Sequence, residues 1–246
     1  MSQVIVVASG KGGTGKTTVS TSLALSLAKK NNRVLVIDCD SGMRGVDMML
    51  GITDRLVYDM SDVISGACSF SDAVYECSGA QGVYTIAAPS LAEDEVSPQL
   101  MKQFIEEHKK DYDYVVVDAP AGTGTGFETA AIAADTALVV INTEPTSIRG
   151  AVNIRQKLND IGIKDQRLVI NRFDVDRFVS MGIYEDLDQV IDTVGMQLIA
   201  VVPEDVRTTA LAQRGALASN WTKCAAVFDS LVARLQGMNV PLAVKL

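Results

Sequence analysis

A chain of 246 residues, 48% apolar and 21% charged, is long enough to bury one sizeable α/β core, and its net charge of −8 disfavours a broad nucleic-acid face. Its four cysteines (Cys39, Cys68, Cys77 and Cys224) form no CxxC pair and read as reduced thiols of a cytoplasmic protein. The single histidine, His108, rules against Ser-His-Asp triads and His-based zinc sites; flanked by charge in EEHKK, it is expected on solvated surface.

The first apolar run, VIVVA at 4–8, has the length of a strand and leads into the glycine-rich SGKGGTGKTT at 9–18. That is no signal peptide, and no later stretch approaches the roughly 20 apolar residues of a spanning helix. A helix over 17–30 follows, with Val19, Leu23 and Leu27 on one stripe, and then a strand at 34–37 running into DCDSGMRG. Further strands are expected at 83–87, 114–118, 137–141, 168–170 and 198–202, with a helix over 98–110. Trp221, Ala225, Phe228, Leu231, Val232 and Leu235 keep helical spacing near the end, as a core-packing stripe. Most strands are unbroken apolar runs, which suits burial on both faces. Alternating strands and helices therefore predict an α/β fold: a mostly parallel central sheet with helices on both faces. No linker or repeat interrupts it, so residues 1–246 are expected to form a single domain.

Gly10, Gly15, Lys16 and Thr17 satisfy GxxxxGK[ST] between a strand and a helix. Glycines let successive N–H groups curl inward onto phosphate oxygens, and the helix adds its positive end. Lys16 can reach the β- and γ-phosphates, and the Thr17 hydroxyl can ligate Mg²⁺. A second carboxylate is needed near the metal, and YDYVVVDAP supplies Asp118 at the end of a buried strand. Asp38 and Asp40 follow another such strand, and either could face the nucleotide from a turn.

The loop resembles the deviant Walker A signature, KGGxGKT, of the MinD/ParA family of P-loop ATPases, with Lys11 matching the signature lysine. The likeness covers nearly the whole chain and is nearest the MinD branch. DCDSGMRGVDMMLGI resembles its first switch, DAPAG its Walker B with the second switch, and TEPTSIRGAVNI, LVINRFD and VPEDVRTTALAQRGAL follow in family order.

The resemblance implies an Mg²⁺-dependent ATPase that binds ATP and ADP and dimerises with ATP. Gly10, Lys11, Gly12, Gly13, Thr14, Gly15, Lys16 and Thr17 would cradle phosphates, and Thr18 would bond the α-phosphate. Lys11 would reach into the partner subunit, where a cation on the transferred phosphoryl acts as an arginine finger does. Asp40 would position the attacking water, and Thr17, Asp40 and Asp118 would serve the metal. Asn171 and the segment Pro203, Glu204 and Asp205 would hold the adenine, and Arg172 would also bind the nucleotide. A regulatory or cargo protein, such as a division component, is the implied partner. The chain departs from the family where Gly45 replaces the usual Asn, and in PAGTGTGFETA, which is richer in glycine and threonine than PAGIETG. Its LVARLQGMNVPLAVKL ending has only Arg234 and Lys245 as cations, against the family's basic amphipathic anchor, so weak or indirect binding at the inner face of the membrane is expected. The competing readings are a ParA-type DNA-partitioning ATPase, an electron carrier of the nitrogenase iron protein type, and an ATP-dependent amide-forming enzyme.

Overall fold

Residues 2–90, 96–217 and 223–242 are described by a computed structural model of the protein. Among them, eight strands form one sheet: β1 (Gln3–Ala8), β2 (Val34–Asp38), β3 (Val74–Glu76), β4 (Val83–Ile86), β5 (Tyr114–Asp118), β6 (Thr136–Ile141), β7 (Asp165–Phe173) and β8 (Gln197–Pro203). The order is β3-β4-β2-β5-β1-β6-β7-β8, parallel throughout except for the β3–β4 pair. The connecting helices are α1 (Lys16–Ala28), α2 (Gly45–Leu50), α3 (Met60–Ile64), α4 (Phe70–Ala73), α5 (Pro98–His108) and α6 (Thr125–Ala131). They continue with α7 (Pro145–Ile161), α8 (Val175–Met181), α9 (Leu187–Val194), α10 (Val206–Gln213) and α11 (Lys223–Leu235).

Successive residues of a strand enter opposite layers. Val4, Val6 and Ala8 join Leu35, Ile37, Val115 and Val117 in one apolar layer with Phe104, Phe127, Ile148 and Ile154 from α5, α6 and α7. Ile5 and Val7 join Val34, Val36 and Val116 in the other, packed with Leu23 and Leu27 of α1 and Phe228, Leu231 and Val232 of α11. Both faces are covered by helices, which is why the strands carry no polar alternation. The expected architecture, a mostly parallel sheet with helices on both faces, is the one found.

The sheet also places the site. Val7 of β1 and Asp38 of β2 both pair in register with Asp118 at the end of β5. The loop after β1 therefore rises beside β5, with β2 next along the sheet, and both of these strands end in a carboxylate at the carboxyl edge where open α/β sheets bind ligands.

Some expectations need correction. The short antiparallel β3 (VYE) is an addition to the expected strands, because three residues with one charge carry no strand signal. The strand expected at 168–170 is longer, extending from Asp165 to Phe173. His108 is not simply solvated: its ring stacks on Phe70 at 3.9 Å between centroids, with 8° between planes, and meets Phe104 edge-on at 4.9 Å. Burial holds its pKa below the ordinary histidine value. The charged neighbours point out while the ring packs against α4, a contact distant in sequence. Trp221 and Lys245 lie outside the described residues.

Candidate nucleotide site

The loop from Ser9 to Thr17 leaves β1 and re-enters as α1. Gly13 and Gly15 take positive φ of 80° and 86°, and Gly15 caps α1 in the left-handed region. Gly12 and Gly13 face open space, so their backbone is approachable by a ligand. Gly10 packs backbone to backbone on Gly150 of α7, and a Cβ there would collide with it. Lys16 is buried at the start of α1, where the helix end and its N–H groups favour phosphate. The Thr14 hydroxyl is buried without a hydrogen-bond partner.

Asp118 is fully buried and accepts from the Thr17 hydroxyl at 2.6 Å and the Ser20 hydroxyl at 2.7 Å. Burial raises its pKa, against the pull of Lys16 and the two hydroxyls. Its register partner Asp38 is buried as well, and accepts from the backbone N–H groups of Asp40 at 2.9 Å and Val46 at 3.1 Å. Burial, then the Asp118 charge, pushes the Asp38 pKa up to about 7. Asp40 is half-buried and shapes the first-switch turn: its Oδ1 accepts from Met43 N at 3.2 Å and its carbonyl from Arg44 N at 2.8 Å. The first switch lies close against the loop helix, since a Cβ on Gly45 would stand 3.1 Å from Thr17 Cγ2. Thr17, Asp40 and Asp118 are hard oxygen donors at one mouth, which fits Mg²⁺ held jointly with phosphates and water. No cage of three or more acidic, Cys or His ligands exists among the described residues.

On the far side of the loop, Asn171 is buried and donates from Nδ2 to the Thr14 carbonyl at 2.8 Å. A Cβ on Gly15 would strike that amide. Arg172 sits at φ 55°, a conformation rare outside glycine, and pairs through Nε with Glu204 Oε2 at 2.8 Å. Pro203 pairs with Phe173, and Glu204 N donates to the Phe173 carbonyl, so this segment lies beside Asn171 and Arg172. Asp205 uses its carboxylate as the cap of α10, accepting from Arg207 N and the Thr208 hydroxyl. Thr18 lies toward α2, its hydroxyl 3.9 Å from Met49 Sδ.

Lys11 stands on the outer rim of the loop, with Nζ 2.6 Å from Glu144 Oε2. Glu144 caps α7, and Arg177 Nη2 approaches its other oxygen at 3.3 Å. The bond from Lys11, ahead of its charge and that of Arg177, holds the Glu144 carboxyl below its ordinary value.

The structure thus brings Lys16, Thr17 and Asp118 together with Asp40 in the turn near them, and sets Asn171 against the loop with Arg172, Pro203 and Glu204 next to it, whereas Thr18 faces α2 and the Asp205 carboxylate is taken up in capping α10. Sequence reasoning left Asp38 undecided and missed Ser20, Glu144, Gly150 and Arg177. Ser20 had a signal, since it lies one helical turn after Lys16 and Thr17. Glu144 reads only as an acidic residue before a helix-starting proline.

Known proteins share this sequence and fold. An AAA domain family model matches residues 2–170. The septum site-determining protein MinD of Thermotoga maritima is 34% identical over 248 residues, spanning 98% of this chain and 91% of that protein. A chain of the MinC:MinD cell division protein complex of Aquifex aeolicus superposes with a TM-score of 0.89 at 31% identity, covering 99% of each chain. MinD of Pyrococcus horikoshii complexed with Mg-ADP superposes with a TM-score of 0.83 at 27% identity, over 96% of each chain.

Proposed function

The chain belongs to the MinD family of P-loop ATPases, and from that premise we propose that it is an ATP-dependent dimerisation switch that positions a division component. ATP would bring two copies together at their phosphate loops, and hydrolysis would part them. The observation that carries this reading is the place of Lys11. It is paired on the rim with Glu144 rather than turned into its own cradle, so it is available to a second subunit.

In this reading the loop N–H groups, Lys16 and Thr18 bind the phosphates, and Asn171 with the Pro203 to Asp205 segment borders the base. Thr17, Asp40 and Asp118 would hold Mg²⁺, which would neutralise phosphate charge. Asp40, at the tip of the first switch, aligns a water with the γ-phosphorus. The water oxygen bonds to the γ-phosphorus as the P–O bond to ADP breaks, its proton leaving with the inorganic phosphate, and Lys11 of the other subunit stabilises the charge that develops.

No helix among the described residues is long and apolar enough to cross a membrane. Arg234 donates to the carbonyls of Ile199, Val240 and Pro241, so this cation is engaged in folding residues 238–242 back onto the sheet edge. This cation is therefore committed to the fold rather than offered to a lipid headgroup. The net charge of −8 weighs against a ParA-type DNA-binding role.

Light scattering on the full chain with ADP, ATP and a non-hydrolysable analogue, run beside phosphate release, tests the proposal. A monomer with ADP and a dimer with triphosphate are expected. A protein that hydrolyses ATP while monomeric in every nucleotide overturns it.

A further inference from the structure

Two cations from separate parts of the fold share the Glu144 carboxylate. Lys11 Nζ lies 2.6 Å from Oε2, and Arg177 Nη2 lies 3.3 Å from Oε1. Arg177 belongs to α8, where its backbone N–H is fixed by the capping carboxylate of Asp174 at 2.8 Å. The three side chains line one cleft of about 220 Å³ beside the phosphate loop, with Gly12, Gly13 and Asn142. Among the described residues Glu144 makes no other ion pair.

We infer that Arg177 sets how readily Lys11 leaves Glu144, and so acts as a positioning residue for ATP-driven dimerisation; the inference rests on the dimer-switch reading above. Two cations on opposite oxygens of one carboxylate repel each other, and each loosens the other's hold. When Lys11 departs for a second subunit, Arg177 stays on Oε1, and the carboxylate keeps a counter-charge. Without Arg177 the Lys11–Glu144 pair is tighter, and on its rupture the carboxylate keeps only the weaker field of Arg172, which lines the same cleft but is paired with Glu204. The side chains of Lys11, Glu144 and Arg177 are 43%, 30% and 65% exposed, so screening keeps the effect modest.

The test is sedimentation equilibrium of the full chain with Mg²⁺ and a non-hydrolysable ATP analogue. It compares wild type, Arg177→Ala, Arg177→Lys, Glu144→Gln, the Arg177→Ala/Glu144→Gln double variant and Lys11→Ala. Arg177→Ala is expected to weaken the dimer about two- to fivefold, a range set by exposed ion pairs. Arg177→Lys should restore it, and in the Glu144→Gln background loss of Arg177 should change nothing, because its route to Lys11 is gone. An unchanged or tighter Arg177→Ala dimer overturns the inference. So does an equal loss in both backgrounds, which would place Arg177 directly against the second subunit. A wild type that never dimerises with the analogue, or a Lys11→Ala dimer as tight as wild type, overturns the dimer-switch reading itself.

Discussion

Asn171 is bonded to the phosphate loop, its Nδ2 donating to the Thr14 carbonyl across 2.8 Å from a buried position in β7. A residue expected to read adenine therefore also braces the cradle. Asn171→Ala should weaken inorganic tripolyphosphate as well as ATP, by roughly two- to tenfold, the worth of one lost hydrogen bond. Calorimetry with both ligands decides it. If tripolyphosphate binds as in wild type and only ATP suffers, the residue acts on the base alone.

Asp118 has both oxygens engaged by hydroxyls of α1. Ser20→Ala leaves one oxygen buried without a donor and should destabilise the chain by about 1–3 kcal/mol in urea unfolding. Thr17→Ala should act on the metal instead. Its ATP affinity in Mg²⁺ is expected to fall to the value measured in EDTA, and a full Mg²⁺ enhancement in that variant would remove Thr17 from the metal site.

Gly10 and Gly150 join the phosphate loop to α7 by direct backbone contact. A Cβ on Gly150 would stand 3.0 Å from Gly10, tight enough that the loop must shift, whereas one on Gly10 collides outright with Gly150. Gly150→Ala should destabilise by about 1–3 kcal/mol and loosen nucleotide binding. Gly10→Ala should be worse on both counts. Equal, wild-type-like melting of the two variants would show that helix and loop are not so close.

Asp38 gives the pH dependence a sign. Its carboxyl, raised to about 7 by burial and Asp118, takes up protons on folding. Such a group favours the folded chain fully below its unfolded value near 4, and that contribution is lost as the pH rises toward 7. Asp38→Asn is less stable overall, because an amide cannot accept from both Asp40 N and Val46 N. Denaturant titrations of the nucleotide-free protein between those limits should show wild type losing ground to Asp38→Asn as pH rises. A gap that does not change with pH contradicts the raised Asp38 pKa.

The sheet was legible because buried parallel strands are continuous apolar runs between glycine and acidic stops; Val4 to Ala8 and Tyr114 to Asp118 are examples. The loop was legible because its glycines, Lys16 and Thr17 have a fixed spacing. What stayed hidden depends on partners remote in sequence. Asp38 and Asp40 differ only in which one ends a strand beside Asp118, and pairing decides that. Glu144 gains its meaning from Lys11, and His108 from Phe70, neither of which is near it in the chain. β3 is held by its pairing with β4 rather than by any pattern of its own.

The central claim, that Lys11 serves the second subunit while Asp40 serves its own, is tested most directly by mixing Lys11→Ala with Asp40→Ala and measuring phosphate release. Each variant alone should be inactive: the first lacks the cation, and the second dimerises with an unaligned water. In the mixed dimer, the Asp40→Ala subunit lends its Lys11 to a partner that retains Asp40, and that one composite site should hydrolyse ATP. Activity returning on mixing is the result expected. A Lys11→Ala protein that hydrolyses ATP fully as a monomer, or a mixture as inactive as its parts, contradicts the account.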